Sequence, residues 1–166
     1  LPGVALYVAS PDGVFDGAAG ESVIGEVDWA PDHRFRIASN SKSFLGVVAA
    51  QMASEGALDL DTPLSDHLDA ALVANIENAD TATLRQALTH TSGMFDYLGA
   101  NGFWADVDGG RTEGWTPMEA LAYAYGKPAS FAPGDGWEYS NTNYLLAGLV
   151  IDDITSARKA EQMRTD

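Results

Sequence analysis

The chain has 166 residues, which is enough for one domain of ordinary size or for a part of a larger one. Its 24 acidic residues against 9 basic ones give a net charge of -15, and so negative a surface excludes nucleic-acid binding through a basic face. The absence of cysteine excludes disulfides, thiolate metal sites and a cysteine nucleophile, and no apolar run is long enough to span a membrane. The acidic residues form no block, which is typical of a solvated surface; adaptation to a saline habitat is the alternative interpretation.

The first part of the chain predicts strands. Residues 4–9 are apolar and partly β-branched or aromatic, residues 11–13 (Pro-Asp-Gly) are typical of a turn, and residues 14–15 resume the apolar pattern. Residues 22–29 alternate in a way that predicts another strand with one buried face. We expect a hairpin or a three-stranded meander.

The pattern changes to helical spacing after Ser39. Apolar residues recur at helical intervals from Phe44 to Met52, and Gly56 is a C-terminal stop signal. Further helices are predicted at residues 64–68 after Pro63, at residues 84–88 after an N-cap at Thr83, at residues 118–125 after Thr116 and Pro117, and at residues 143–154. The last of these is apolar on most sides, which predicts a buried helix.

The first candidate for chemistry is the pair Ser39 and Lys42. Ser39 lies where the predicted helix begins, so we expect its hydroxyl beside free backbone N–H groups. Lys42 follows one helical turn later on the same face, and its amine can reach the Ser39 oxygen. A serine hydroxyl becomes a nucleophile when a neighbour takes its proton, and a lysine can take it once burial or a nearby cation favours the neutral amine. The alternative is that Ser39 is an N-cap and Lys42 a solvated residue of the first turn.

The second candidate is the pair Tyr139 and Asn141. Residues two apart in an extended segment point the same way, so we expect the phenol and the carboxamide to converge. The alternative is the start of a helix, in which Ser140, Asn141 or Thr142 caps the residues from Tyr144 onward. Each motif alone arises by chance about 0.2 times in a chain of this composition, and neither is decisive by itself.

The two motifs together, with Ser39 one hundred positions before Tyr139, resemble those of a serine hydrolase family. This family contains class C β-lactamases, D-alanyl-D-alanine carboxypeptidases, penicillin-binding esterases and D-aminopeptidases. The resemblance covers the chain from about residue 1 to residue 166. It is carried by the segments around the motifs, which are residues 35–44, residues 55–61, residues 84–93 (LRQALTHTSG) and residues 133–144.

The resemblance implies an α/β (α+β) fold of the β-lactamase/transpeptidase type, with an antiparallel sheet flanked by helices and a helical domain. We expect residues 1–55 to form the first part of the sheet domain with the nucleophile helix, and residues 56–166 to form the helical domain with the Tyr-x-Asn motif. Two or three strands are marginal without a covering partner, and residues 157–166 resemble a helix cut in mid-course. We therefore expect the rest of the sheet domain after residue 166, on a C-terminal segment or chain that completes the fold.

The resemblance also implies the roles of four residues. Ser39 is the acylated nucleophile, and Lys42 is its proton partner. Tyr139 is the general base or a proton shuttle, while Asn141 orients the substrate amide and Lys42. The backbone N–H of Ser39 is one arm of the oxyanion hole. The family's third motif, Lys-Thr-Gly or His-x-Gly on a strand that supplies the second oxyanion donor, is absent from these 166 residues.

The implied function is that of a serine acyl-enzyme hydrolase, most similar to a D-alanyl-D-alanine carboxypeptidase, with a β-lactamase or a small-ester esterase as the alternative. Its expected partners are small peptides, β-lactams or esters, without a metal or a cofactor. A periplasmic or secreted location follows from the resemblance only. The isolated chain is expected to be inactive because the third motif is missing. The alternative of another class is a non-catalytic penicillin-binding or scaffold fragment.

Other candidates indicate structure rather than chemistry. The acidic residues from Asp59 to Asp69 lack the glycine and the glutamate of a calcium loop, and the three histidines share no zinc-ligand spacing. Residues 90–93 (His-Thr-Ser-Gly) are expected to form a structural turn near the site. The glycine-rich residues 99–114, which include Trp104 and Arg111 and precede Trp115, are expected to be a surface loop, with a mobile lid as the alternative.

Overall fold

The computed structural model describes residues 2–110 and 113–165, and the last seven of these as helical backbone only. Contacts divide the chain into two compact units, residues 1–39 and residues 40–166. The sequence predicts a domain division after residue 55, between a sheet domain and a helical domain. Contacts within this chain do not test that division, which stays a prediction.

The first unit is a three-stranded antiparallel meander. β1 (Gly3–Ser10) pairs along its whole length with β2 (Gly13–Val23), and β2 pairs with β3 (Val27–Asp28). Ser10 stabilises the turn between the first two strands, since its Oγ accepts the Asp12 N–H at 3.2 Å. The meander predicted from the sequence is therefore confirmed.

The predicted strand at residues 22–29 is wrong, because a turn interrupts it. Gly25 has a φ of 76°, a conformation that favours glycine, and its N–H donates to the Glu21 carboxylate at 2.8 Å. This contact supports the reversal of the chain between β2 and β3. The face predicted to be buried is exposed as well, at 46% for Val23 and 43% for Val27.

Apolar side chains of the meander are exposed on both faces. Leu6 and Val8 are 54% and 47% exposed. Tyr7 lies between them in the strand, points to the opposite side, and is 67% exposed. A sheet with two exposed apolar faces is marginal in water on its own.

The second unit is helical. A 3-10 turn (Ala38–Asn40) leads from the first unit into α1 (Ser41–Ser54). The helices that follow are α2 (Ala70–Val73), α3 (Leu84–Leu88), α4 (Asn101–Asp108), α5 (Pro117–Leu121) and α6 (Asn141–Thr165). Shorter 3-10 turns lie at Leu64–Asp66, Tyr97–Gly99 and Ala122–Ala124. Within the described ranges, every helix is too short or too polar to cross a membrane.

Both predicted N-caps are present. The hydroxyls of Thr83 and Thr116 accept the backbone N–H groups of Gln86 and Glu119, each at 3.2 Å. The side chains of Gln86 and Glu119 in turn accept the N–H groups of the two threonines, each at 2.9 Å. These reciprocal contacts are capping boxes, and they fix where α3 and α5 begin.

Other helix boundaries agree with the sequence only in part. α1 ends as predicted before Gly56, which has a φ of 67° and so provides the left-handed residue that commonly follows a helix. The helix predicted at residues 64–68 is a 3-10 turn, and α2 was not predicted. α6 begins at Asn141 instead of residue 143 and continues to Thr165.

The glycine-rich residues 99–114 are not the loop predicted from composition, because they contain α4. Phe103 of α4 is buried, with its ring centroid 5.0 Å from that of Trp115 and 5.4 Å from that of Tyr123. This aromatic packing holds a helix in place that local composition does not favour. Arg111, which was part of the predicted loop, lies outside the described residues.

The core of the second unit forms around α6. Leu146 and Val150 on α6 are completely buried. Leu64, Leu84 and Leu121 from the preceding helices and turns belong to the same core and are at most 1% exposed. Burial of a side chain of this size contributes about 1.5–3 kcal/mol. The prediction of a buried apolar helix near the end of the chain is confirmed.

α1 is buried on one side only. Ala49 and Met52 lie in the core, whereas Phe44 and Val47 are 67% and 66% exposed. The helix therefore presents an apolar face that the described part of the chain leaves open to solvent.

Candidate active site

Ser39 lies in the 3-10 turn that precedes α1. The N-cap position of α1 is the next residue, Asn40, whose backbone is itself helical and whose side chain makes no cap hydrogen bond. Ser39 is exposed and is the last residue of the first compact unit. Its role as a nucleophile stays a prediction.

Lys42, in the first turn of α1, is half-buried and contacts the start of α6. Its Nζ donates to the Asn141 Oδ1 at 2.8 Å, although the two residues are 99 positions apart. The Nζ atom also lies 5.0 Å from the ring centroid of Tyr139 and 5.4 Å from that of Tyr144. Both distances are within the range in which a ring face attracts a cation. Two motifs that are remote in sequence therefore meet at Lys42.

Asn141 is held in turn by Asp96. The Asn141 Nδ2 donates to the two carboxylate oxygens of Asp96, at 3.2 Å and 3.0 Å. The same carboxylate accepts the backbone N–H of Asn141 at 3.1 Å and that of Leu98 at 3.2 Å. Asp96 thus orients the amide and also satisfies N–H groups at the start of α6 and of the adjacent 3-10 turn.

Further contacts join the segment around Asp96 to the start of α6. The Phe95 carbonyl oxygen accepts the hydroxyls of Ser140 and Thr142, at 3.3 Å and 2.7 Å. The Thr142 hydroxyl oxygen accepts the Tyr97 N–H at 3.1 Å. The two hydroxyls therefore form hydrogen bonds with the backbone of residues 95–97. These bonds fix the first turn of α6 against a segment about 45 positions earlier in the chain.

His90 packs against Tyr139. Its ring lies 4.4 Å from the Tyr139 ring and 5.2 Å from the Tyr144 ring, centroid to centroid. The His90 carbonyl oxygen accepts the Glu138 N–H at 3.0 Å, and its Nδ1 accepts the Ser140 N–H at 3.2 Å. Backbone and ring of His90 therefore bracket Tyr139, which agrees with the predicted structural turn near the site.

The hydrogen bonds of His90 define its tautomer. The Ser92 hydroxyl donates to the Asn143 Oδ1 at 2.6 Å, which leaves the Asn143 Nδ2 facing the His90 Nδ1 at 3.2 Å. Since Nδ1 also accepts the Ser140 N–H, it carries no proton, and the neutral ring holds its proton on Nε2. Ser92, Ser140 and Asn143 are all buried, so this network is closed to water.

The electrostatics of the site favour neutral side chains beside Lys42. Burial lowers the pKa of His90, the charge of Lys42 lowers it further, and the Asp96 carboxylate opposes the change. Burial raises the pKa of Tyr97, and Asp96 adds to this effect. Burial likewise raises the pKa of Tyr144. These three side chains are therefore neutral near pH 7.

The structure brings together three of the four residues predicted from the motifs: Lys42, Tyr139 and Asn141. Sequence reasoning missed Asp96, whose two oxygens face the Asn141 amide. It also missed Tyr144, which lies beside Lys42 and donates its hydroxyl to the Leu88 carbonyl oxygen at 3.0 Å. Tyr144 lies three residues beyond the Tyr-x-Asn motif, one helical turn along α6, and this spacing could have identified it.

The other polar clusters have structural partners. Asp61 forms a two-point ion pair with Arg85, at 2.8 Å and 3.0 Å, and the arginine lowers the pKa of that carboxyl. Asp69 accepts the Ala71 N–H at the start of α2. Trp104 donates its indole N–H to a backbone carbonyl oxygen at 2.7 Å. Among the residues that the structure describes, no three acidic or histidine side chains are grouped as metal ligands would be.

Comparisons with known proteins cover nearly the whole chain. A family model described as Beta-lactamase matches residues 1–166. The chain is 28% identical over 157 residues to Protein flp of Staphylococcus aureus (strain COL), an alignment that covers 93% of this chain and 30% of that protein. The chain therefore spans about a third of the length of this curated relative.

The solved structures that are similar to the chain include an amidohydrolase and a penicillin binding protein. D-stereospecific amidohydrolase from Streptomyces sp. is 34% identical with a TM-score of 0.81, over 93% of this chain and 45% of that chain. Penicillin binding protein from Bacillus halodurans is 31% identical with a TM-score of 0.72, over 92% of this chain and 44% of that chain. These matches confirm the family resemblance and the fold class that the sequence predicts.

Proposed function

Since the chain belongs to the beta-lactamase family, which is a family of serine hydrolases, we propose that the protein is a serine acyl-enzyme hydrolase of the penicillin-binding type. Ser39 is the proposed nucleophile, and a D-alanyl-D-alanine carboxypeptidase is the proposed activity. The alternative within the family is a β-lactamase or a small-ester esterase.

The contact of Lys42 with Asn141 at 2.8 Å carries the proposal. Each motif alone has a structural explanation, since a serine can begin a helix and an asparagine can cap one. The structural explanations do not require the two motifs to meet, and they leave the position of the Lys42 amine over the Tyr139 ring unaccounted for. An acyl-transfer site that uses a lysine and a tyrosine to carry the proton of the nucleophile needs the amine and the phenol close to each other.

The proposed reaction assigns one task to each residue. The Ser39 oxygen attacks the substrate carbonyl carbon, and its proton passes to Lys42 or to Tyr139. The leaving amine takes that proton as the carbon–nitrogen bond breaks, which leaves an ester on Ser39. A water molecule then attacks the ester and gives a proton to the same base. The base returns this proton to the Ser39 oxygen as the ester bond breaks, which releases the acid and restores the serine hydroxyl. Asn141 holds the Lys42 amine in place and orients the substrate amide.

The substrate class is proposed from the similar proteins. One is named a D-stereospecific amidohydrolase and another a penicillin binding protein. The first name supports an amide substrate whose configuration the site distinguishes, and the second supports a β-lactam as a ligand. A peptide that ends in D-alanyl-D-alanine combines a D-configured acyl donor with an amide bond, and it is therefore our first choice.

Labelling with a fluorescent β-lactam tests the nucleophile. In the full-length protein we expect a covalent adduct that peptide mapping places on Ser39. The Ser39→Ala variant should lose it, and the Ser43→Ala variant, altered at an exposed serine of α1, should keep it. An adduct on Ser41 or Ser43 would contradict the assignment.

A set of substrates tests the reaction. Release of D-alanine from a D-alanyl-D-alanine peptide, but not from the L-configured peptide, is expected for the carboxypeptidase. Faster turnover of a β-lactam or of a small ester would favour the alternatives in the same family. If the full-length protein forms no Ser39 adduct and turns over none of these compounds, the non-catalytic scaffold is the better explanation.

A further inference from the structure

The Asn141 side chain is held from both ends. Its Oδ1 accepts from the Lys42 Nζ at 2.8 Å, while its Nδ2 lies 3.2 Å and 3.0 Å from the two oxygens of Asp96. A carboxylate only accepts hydrogen bonds, and the Lys42 Nζ donates one to the Asn141 oxygen. The amide therefore has one orientation that satisfies both neighbours, with its nitrogen towards Asp96 and its oxygen towards Lys42.

We propose that Asp96 is a positioning residue, which fixes the orientation of the Asn141 amide and thereby the place of the Lys42 amine. This inference rests on the proposed function, in which Lys42 exchanges a proton with the nucleophile. If the amide turned over, its NH2 group would face the Lys42 amine and its oxygen would face the carboxylate. The amide oxygen and the carboxylate would then both be acceptors, and the Lys42 amine would lose the Asn141 oxygen as an acceptor.

Asp96 also caps backbone N–H groups, and this second role has to be separated from positioning. One of its oxygens, Oδ1, accepts the N–H groups of Leu98 and Asn141. Asparagine at position 96 keeps one oxygen for these groups and replaces the other by NH2. That NH2 group opposes the Asn141 Nδ2 where the 3.0 Å contact was, and the Asn141 Nδ2 keeps only its 3.2 Å contact with the oxygen that also caps the two N–H groups. We therefore expect the Asn141 amide to lose its fixed orientation while the cap remains.

Asp96→Asn in the full-length protein is therefore the informative variant. Asp69→Asn is the matched control, because Asp69 also caps a helix, where its Oδ1 accepts the Ala71 N–H at 2.7 Å. We expect Asp96→Asn to lower the rate of Ser39 acylation by a fluorescent β-lactam on the order of 100-fold, the size of effect that a misplaced group produces. Asp69→Asn should leave the rate within about twofold of the parent.

A double-mutant cycle with Asn141→Ala distinguishes positioning from other roles. Without the Asn141 side chain there is no amide to orient, so adding Asp96→Asn should have little further effect on the acylation rate. A cap or a direct effect of the Asp96 charge would act in both backgrounds. An equal loss of rate in both backgrounds would overturn the inference.

Nitrogen-15 NMR of the Asn141 side chain gives a readout that does not depend on activity. In the parent, the Asn141 amide protons should exchange slowly because they are bonded to a carboxylate, and Asp96→Asn should accelerate their exchange. Unchanged exchange in Asp96→Asn would overturn the inference. Labelling of Ser39→Ala at the parent's rate would instead contradict the proposed function, and the NMR result would still decide the role of Asp96.

Discussion

Replacement of His90 by phenylalanine measures how firmly the Tyr139 segment is held. The variant keeps an aromatic ring against Tyr139 and removes the Nδ1 acceptor. The Ser140 N–H and the Asn143 Nδ2 lose their partner, and these residues are only 1% and 0% exposed. A buried donor left without a partner costs about 1–3 kcal/mol. Because the two donors share the one lone pair of Nδ1, we expect a loss of about 1–3 kcal/mol in the free energy of unfolding.

Equilibrium unfolding of the full-length protein in urea, followed by circular dichroism at pH 8, measures this loss. His33→Phe is the control, because the His33 Nδ1 accepts a single N–H, that of Ala30, at 3.3 Å in a part-buried site. The control should lose less than about 1 kcal/mol. If His90→Phe loses no more stability than His33→Phe, the hydrogen bonds of His90 do not hold the segment and the reasoning is refuted.

Three further predictions concern pH, catalysis and the backbone. Because burial lowers the pKa of His90, the folded chain binds that proton less readily than the unfolded chain, so the free energy of unfolding is at its full value above about pH 6.5 and falls as the pH decreases below it. Urea midpoints at pH 8, 6 and 5 measure this dependence, which should be flatter in His90→Phe. Tyr139→Phe should lower the acylation rate, measured by stopped flow, by about 10²–10⁴-fold and the free energy of unfolding in urea by less than about 1 kcal/mol. Lys42→Ala should also lower the acylation rate, and Lys42→Arg should not restore it, because a guanidinium keeps its proton. Gly93→Ala should be strongly destabilising, since a Cβ there would lie 2.0 Å from a backbone carbonyl oxygen. Gly148→Ala, on α6 with no atom within 4 Å of the added Cβ, should stabilise the protein by about 0.5–1 kcal/mol, and thermal unfolding of both variants checks this contrast.

Local signals account for the parts of the fold that the sequence predicted. The caps at Thr83 and Thr116 act within three residues, and the turn at Gly56 follows from one backbone angle. Such features are encoded where they occur and need no distant partner. The meander could be predicted for the same reason, since its strands are joined by short turns.

The parts that the sequence did not predict depend on distant or mixed signals. α4 exists because Phe103 packs against Trp115 and Tyr123, and its own residues include a glycine that disfavours a helix. Asp96 contacts Asn141 across 45 positions, and no periodic pattern connects two such residues. The candidate site was therefore predictable as two motifs, whereas the carboxylate that holds one of them required the folded structure.

Lys42 and its hydrogen-bond acceptor Asn141 are 99 positions apart, so they are synthesised at different times. Ribosomes add about 5–20 residues per second, so Lys42 precedes its hydrogen-bond acceptor by about 5–20 seconds. The growing chain cannot hold the amine in its final position during this interval, so the contact between Lys42 and Asn141 forms only after the start of α6 has been synthesised.

The same delay applies to apolar surfaces that the described residues leave uncovered. Phe44 and Val47 on α1 and Tyr7 on β1 are all more than half exposed in the folded chain, and they leave the ribosome before the core around Leu146 exists. Exposed apolar side chains and strand edges make nascent chains prone to aggregation. We therefore expect ribosome-bound chains that end before residue 141 to bind general chaperones more strongly than chains that include α6.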